Sequence, residues 1–130
     1  MSTLPITPIH TNNAPAAIGP FSQACIAGDF LFISGQGGIS PESGKVAGSS
    51  LESQAEQLMQ NLKAILEQAG TDFSRVVKAT CFLADMDDFS AFNAIYAKYF
   101  TSKPARSCIA VKALPMGILC EVEAIVYLGE

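Results

Sequence analysis

Apolar residues recur with the period of an α-helix in two stretches of the chain. Between residues 51 and 69 they fall at every third or fourth position, which predicts an amphipathic helix of about five turns. Ser49 and Glu52 have the spacing of a capping box at its start, and Gly70 is a natural end. A second helix is predicted after the aspartate-rich residues 85–88, where an aromatic stripe follows: Phe89, Phe92, Tyr96, Tyr99 and Phe100.

Alternation of apolar and polar residues predicts strands in most of the remaining chain. The predicted strands are a hairpin that turns at Gly28-Asp29, a strand at 76–84, one that begins after Pro104, and one at 119–128. Residues 1–20, which contain four prolines, predict an irregular arm.

The order β-β-α-β-α-β-β predicts an α+β fold, with one mixed sheet, both helices on one of its faces, and a single domain over residues 1–130. The short turn at 115–117 further predicts that the last two strands pair as a hairpin.

Composition adds an expectation about assembly. The hydrophobic fraction is 49% and the charged fraction only 15%, which leaves little polar surface for a lone small domain and indicates burial between like subunits. The net charge of −4 and the pI of about 4.9, with eight scattered basic residues, weigh against nucleic-acid binding.

Cysteine and histidine usage narrows the possible chemistry. The four cysteines form no C-x-x-C pair, which indicates free thiols in a reducing, cytoplasmic compartment. The first ten residues lack the apolar core of a signal peptide, and no apolar run is long enough to span a membrane. With His10 as the single histidine, a His-dependent triad or a zinc site is disfavoured, so no metal is expected.

Arg106 is the first candidate for a chemical role. Alternation after Pro104 predicts that Arg106 and Cys108 point to the same side of a strand. An arginine at the start of a strand can clamp a carboxylate through two hydrogen bonds, and the alternative is a surface or intersubunit ion pair. For Cys108, which has no histidine base nearby and apolar neighbours, a packing or backbone role is favoured over nucleophilic catalysis.

Two carboxylates in the last strand are the second candidate. Glu121 and Glu123 share a face about 7 Å apart, a spacing that allows acid–base work, although two solvated strand positions are the commoner case. If the last two strands pair as a hairpin, counting residues outward from the turn places Glu121 opposite residues 110–111, short of Arg106. This mismatch hints at a site shared between subunits.

Glycines at 35, 37 and 38 indicate either a strand bulge or close contact with a ligand.

Several segments together resemble the RidA (YjgF-type) reactive-intermediate deaminase family, in order and over nearly the whole chain. These are Gly19-Pro20-Phe21-Ser22-Gln23-Ala24, Ile33-Ser34-Gly35-Gln36, Asn61-Leu62-Lys63-Ala64-Ile65-Leu66, Pro104-Ala105-Arg106-Ser107-Cys108 and Cys120-Glu121-Val122-Glu123-Ala124. The resemblance implies a chorismate-mutase-like fold, a homotrimer with a central sheet barrel and three clefts between subunits. It also implies hydrolysis of 2-enamine and 2-imine intermediates, such as 2-aminoacrylate, to 2-keto acids and ammonia without a metal or organic cofactor.

The resemblance also implies roles for single residues. Arg106 would bind the substrate carboxylate, and Glu121 would position the water that attacks the imine carbon. The other substrate-binding residues would be Phe21, Ser34, Gly35, Ser107 and Cys108, with Cys108 acting mainly through its backbone. The family usually has tyrosine where this chain has Phe21, and the missing hydroxyl keeps open a non-catalytic binder or sensor of small 2-keto carboxylates. A ribonuclease, an activity attached to relatives, is disfavoured by the acidic charge.

Overall fold

The computed structural model describes residues 5–130, and in this part of the chain six strands form one mixed sheet with two helices. The strand order across the sheet is β1-β2-β3-β6-β4-β5. The strands are β1 Thr7–Ile9, β2 Ala24–Ala27, β3 Phe30–Gly37, β4 Val76–Leu83, β5 Ala105–Ala110 and β6 Cys120–Tyr127; the helices are α1 Leu51–Gln68 and α2 Phe89–Tyr99.

Both helices pack on one face of the sheet, as the order of the elements predicted. Residues of β3, β4 and β6 that point to this face are buried and meet the apolar side of α1 in one core, which includes Leu31, Ala79, Leu58, Val122 and Val126. The capping residue of α1 is Ser50, whose side chain accepts a hydrogen bond from the Ser53 backbone N–H, and not the predicted Ser49. The helix ends at Gln68, close to the predicted stop.

The predicted irregular arm contains a strand. Thr7–Ile9 pairs antiparallel with β2, so the sheet has one more strand than the sequence predicted. Pro8 is compatible with this position because β1 lies at the edge of the sheet, where a missing N–H is tolerated. Residues 1–4 of the predicted arm lie outside the described residues.

The prediction that the last two strands pair as a hairpin is wrong. After α2 the chain returns as β5, which pairs parallel with β4 at the sheet edge, and β6 then inserts between β3 and β4 with antiparallel pairing to both. A helical crossover between adjacent parallel strands explains why β5 lies beside β4. As a consequence, β4 separates β5 from β6.

The face of the sheet opposite the helices is open and partly apolar. Phe32 on β3 is 44% exposed and Ile109 on β5 is 47% exposed, and both side chains project from this open face. The pairing of β3 with β6 is interrupted between Ile33 and Gln36, which leaves Ser34 and Gly35 in a bulge. Among residues 5–130, neither helix is long and apolar enough to cross a membrane.

Candidate active site

Arg106 lies on the edge strand β5, with its side chain directed toward α2. Cys108 shares this side of the strand, as the alternation predicted. Its Nη1 donates a hydrogen bond of 2.6 Å to Oδ1 of Asn93. The guanidinium carbon lies 4.7 Å from the centre of the Tyr96 ring and 5.7 Å from that of Phe89. Aromatic faces attract a cation and fix the plane of a guanidinium.

The positive charge of Arg106 has no acidic partner within residues 5–130, where the ion pair present joins Lys98 to Glu56. The Asn93 contact occupies one N–H, and a guanidinium has five donors in a planar fork. The remaining donors are therefore available to an anion, either a ligand or a carboxylate from another subunit.

Cys108 lies beside Arg106 on the same side of β5 and is level with Cys81 of β4. Burial raises the pKa of the Cys108 thiol, and the nearby Arg106 charge opposes this only in part. Burial also raises the pKa of Cys81 to about 12. Because only the thiolate is strongly nucleophilic, these environments support the packing or backbone role for Cys108.

Glu121 lies in a cavity of about 730 Å³, here called the Glu121 cavity, on the open side of the sheet. Its wall is largely apolar and includes Ile18, Phe21, Gly35 and Met116. Burial, followed by the nearby Glu123 charge, raises the pKa of the Glu121 carboxyl. Such a carboxyl is a candidate general base or water-positioning group.

Gly35 allows Glu121 to occupy this position. A Cβ atom built on Gly35 would lie 2.5 Å from Oε2 of Glu121, so a side chain at residue 35 would displace the carboxylate from its present position. Gly35 lies in the strand bulge, which was one of the two predicted alternatives, and its missing side chain leaves room for the carboxylate.

Ser34 and Ser107 lie outside the Glu121 cavity. Ser34 Oγ donates a hydrogen bond of 2.6 Å to the Ser22 carbonyl, and Ser34 lines an adjacent cavity of about 350 Å³ together with Lys78 and Glu123. Ser107 projects from the open face, where its Oγ accepts a hydrogen bond of 3.3 Å from Lys78 Nζ.

Arg106 and Glu121 do not meet within one chain. Arg106 of β5 is level with Ala79 of β4, and Ala79 is level with Ala124 of β6. Glu121 therefore lies three residues along β6 from the position level with Arg106, and β6 is two strands away from β5. Strand spacing and rise place their Cα atoms about 14 Å apart. Their side chains also project from opposite faces of the sheet.

Sequence reasoning missed the residues that hold Arg106 in place. Asn93 and Tyr96 lie three residues apart on α2, so they share the helix face that meets Arg106. The aromatic stripe pointed to this face, although it was interpreted only as core. Within residues 5–130, no three histidine, cysteine or acidic side chains are grouped closely enough to hold a metal ion.

Comparisons with known proteins agree on one family. Residues 11–128 match the family model described as Endoribonuclease L-PSP. The chain is 48% identical over 130 residues to the 2-iminobutanoate/2-iminopropanoate deaminase of Capra hircus, an alignment that covers 99% of this chain and 95% of the relative.

Solved structures give the same result. The crystal structure of YyfA, a Rid-family protein of Yersinia pestis, has a TM-score of 0.92 at 42% identity and covers 95% of this chain and 99% of its own. The YjgF gene product of E. coli has a TM-score of 0.88 at 41% identity, with 93% and 98% covered. The predicted α+β fold and the resemblance to YjgF-type proteins are confirmed, and the chain belongs to the Endoribonuclease L-PSP family, which includes the Rid and YjgF proteins.

Proposed function

We propose that the protein hydrolyses 2-imines and their 2-enamine tautomers to 2-keto acids and ammonia. The observation that carries this proposal is the Arg106 guanidinium, which is fixed by Asn93 and Tyr96 but has no carboxylate partner among the described residues. An oriented, unpaired guanidinium suits the carboxylate of a small imino acid. The similarity to the goat protein named as an imine deaminase supports this choice of substrate.

The proposed reaction needs few protein groups because a protonated imine is already electrophilic. Arg106 binds the substrate carboxylate, and Glu121 accepts a proton from a water molecule as its oxygen attacks the imine carbon. Glu121 then returns this proton to the nitrogen of the resulting carbinolamine. The C–N bond breaks, ammonia leaves, and the hydroxyl group gives its proton to the Glu121 carboxylate as the keto group forms. Neither a metal ion nor an organic cofactor takes part in this sequence.

A site that uses both residues has to lie between subunits, since Arg106 and Glu121 project from opposite faces of one chain. We therefore propose a homotrimer, in which the sheet edge carrying Arg106 approaches the Glu121 cavity of a neighbour. The exposed Phe32 and Ile109 side chains of the open face support its burial in such an assembly. A single domain over residues 1–130 and a cytoplasmic location stay predictions.

The test follows hydrolysis of an imino acid generated in the assay by an amino-acid oxidase or a dehydratase. We expect the wild-type protein to accelerate release of ammonia and keto acid over buffer. Arg106→Ala is expected to lower kcat/KM by about 100-fold or more, because a charge-assisted bidentate contact is lost. Equal rates for wild type and variant would remove Arg106 from the site, and no acceleration by wild type would refute the activity.

The alternative function is a binder of small 2-keto carboxylates that does not turn them over. Phe21, which lines the Glu121 cavity and is 52% exposed, provides no hydroxyl to a ligand or water there. Saturable binding of 2-oxobutanoate by titration calorimetry, without imine hydrolysis, would favour this alternative. Hydrolysis of RNA is disfavoured by the net charge of −4 despite the description of the family model.

A further inference from the structure

Two amide side chains of α1 are buried in the core although the chemistry of an amide opposes burial. Gln54 is 3% exposed and Asn61 is fully buried. An amide placed in an apolar core costs free energy unless its polar atoms are hydrogen-bonded, whereas an apolar residue would pack without that requirement. Both amides bond to backbone atoms of segments that lie next to Glu121.

Asn61 is bonded through both ends of its side chain. Its Nδ2 donates to the carbonyls of Gly37 and Ile39 at 3.0 Å and 2.9 Å, and its Oδ1 accepts from Gln57 Nε2 at 2.9 Å. Gly37 is the residue of β3 that pairs directly with Glu121 of β6. Asn61 therefore fixes the backbone opposite the candidate catalytic carboxylate.

Gln54 fixes the other side of the same carboxylate. Its Oε1 accepts a hydrogen bond of 2.8 Å from the Leu119 backbone N–H, two residues before Glu121. Its Nε2 donates at 3.1 Å to the carbonyl of Gly48. The helix also lies close against Gly38, the residue that follows β3, because a Cβ atom on Gly38 would lie 2.3 Å from the Gln54 carbonyl oxygen.

These bonds act next to the point where the pairing of β3 with β6 is interrupted. The β3–β6 pairing is interrupted by the bulge at Ser34 and Gly35 and resumes for two residue pairs, of which the last is Gly37 with Glu121. We propose that Gln54 and Asn61 are positioning residues that hold Glu121 at the correct place for water attack. This inference rests on the proposed function and adds two residues that never touch the substrate.

The test compares two neutral variants, Asn61→Leu and Gln54→Met, which preserve size and remove the hydrogen bonds. We expect kcat to fall by about tenfold or more, because small displacements of a catalytic group are costly. The Kd for 2-oxobutanoate, which depends on Arg106 from another strand, is expected to change by about twofold or less. Gln54→Glu keeps the acceptor for Leu119 and is expected to retain more activity than Gln54→Met.

The matched control is Gln60→Glu on the exposed side of the same helix, where the amide donates to Tyr99 Oη at 3.2 Å. Its kcat is expected to equal that of wild type. Titration of the Glu121 carboxyl by carbon NMR is a measurement that does not depend on activity. In Gln54→Met we expect the midpoint of this titration to fall toward the ordinary glutamate pKa, because the carboxyl becomes more exposed.

The outcomes separate this inference from the proposed function. Wild type without imine hydrolysis would refute the function, and the NMR titration would still decide the placement of Glu121. An unchanged titration midpoint in both neutral variants would overturn the inference. So would a parallel loss of kcat and of 2-oxobutanoate binding together with thermal stability, since that pattern indicates a general structural role.

Discussion

Glu121 is a carboxyl group in an apolar cavity, and its protonation state governs the water-activating role proposed for it. The pKa of Glu121 lies above its ordinary value of 4.5, first because of burial and second because of the Glu123 charge. The carboxylate form is the base, so activity that depends on it rises with pH through this raised pKa and is lost below it.

We expect kcat/KM to show an acidic limb whose midpoint lies above pH 4.5. Glu121→Gln is expected to remove this limb and to lower kcat by about 100-fold, since an amide cannot accept the proton. Glu123→Gln is expected to keep activity and to move the limb to lower pH, because it removes a negative charge that raises the pKa of Glu121. A limb that persists unchanged in Glu121→Gln would assign the titration to another group.

Arg106 illustrates which part of a site can be predicted from a single strand. Alternation predicted that Arg106 and Cys108 point to the same side, because successive strand residues face opposite ways. The contact with Asn93 could not be predicted, since it depends on how α2 is rotated and placed over the sheet edge. The lack of an acidic partner for Arg106 within the described residues is likewise a property of the folded chain.

At the scale of elements, the sequence predicted most of the helices and strands correctly, but it did not predict which of the last strands pair with each other. The short 115–117 turn favoured a hairpin between β5 and β6, yet β6 pairs with β3 and β4. A turn sequence reflects only its neighbouring residues, so it does not show that the last strand of the chain lies in the centre of the sheet. The strand Thr7–Ile9 was missed because a three-residue segment that contains proline has no measurable alternation.

The start of α1 provides a prediction at this scale, because two adjacent serines compete for the capping position. Ser50 accepts a hydrogen bond of 3.1 Å from the Ser53 N–H, whereas Ser49, the predicted cap, has no such role in the structure. We expect Ser50→Ala to lower the free energy of unfolding by about 1 kcal/mol. Ser49→Ala is the matched control and is expected to be nearly neutral in the same denaturant titration. Equal losses in both variants would contradict the assignment of the cap.

At the scale of the whole molecule, the open face and the two separated site residues both lead us to expect an assembly of several subunits. Phe32 and Ile109 leave apolar surface on the face opposite the helices, and Arg106 and Glu121 project from opposite faces of the sheet. A symmetric assembly can satisfy both requirements by repeating one interface, in which each subunit provides Arg106 to one neighbour and Glu121 to the other.

Mixing two inactive variants tests this arrangement. Arg106→Ala and Glu121→Gln are each expected to be nearly inactive alone. In a mixed assembly with random subunit order, a cleft is complete when one subunit supplies Arg106 and its neighbour supplies Glu121. For an equal mixture in a closed ring this occurs in about a quarter of the clefts, so we expect about a quarter of wild-type kcat per cleft.

The control for mixing pairs Arg106→Ala with the double variant Arg106→Ala/Glu121→Gln, in which no subunit can supply Arg106. This mixture is expected to stay inactive, and native mass spectrometry establishes that the subunits have exchanged in both experiments. Recovery of activity in the first mixture alone would require the two residues to act across an interface. Heteromers that form but recover nothing would show that the site lies within one chain, and the separation of Arg106 from Glu121 would then exclude one of them from catalysis.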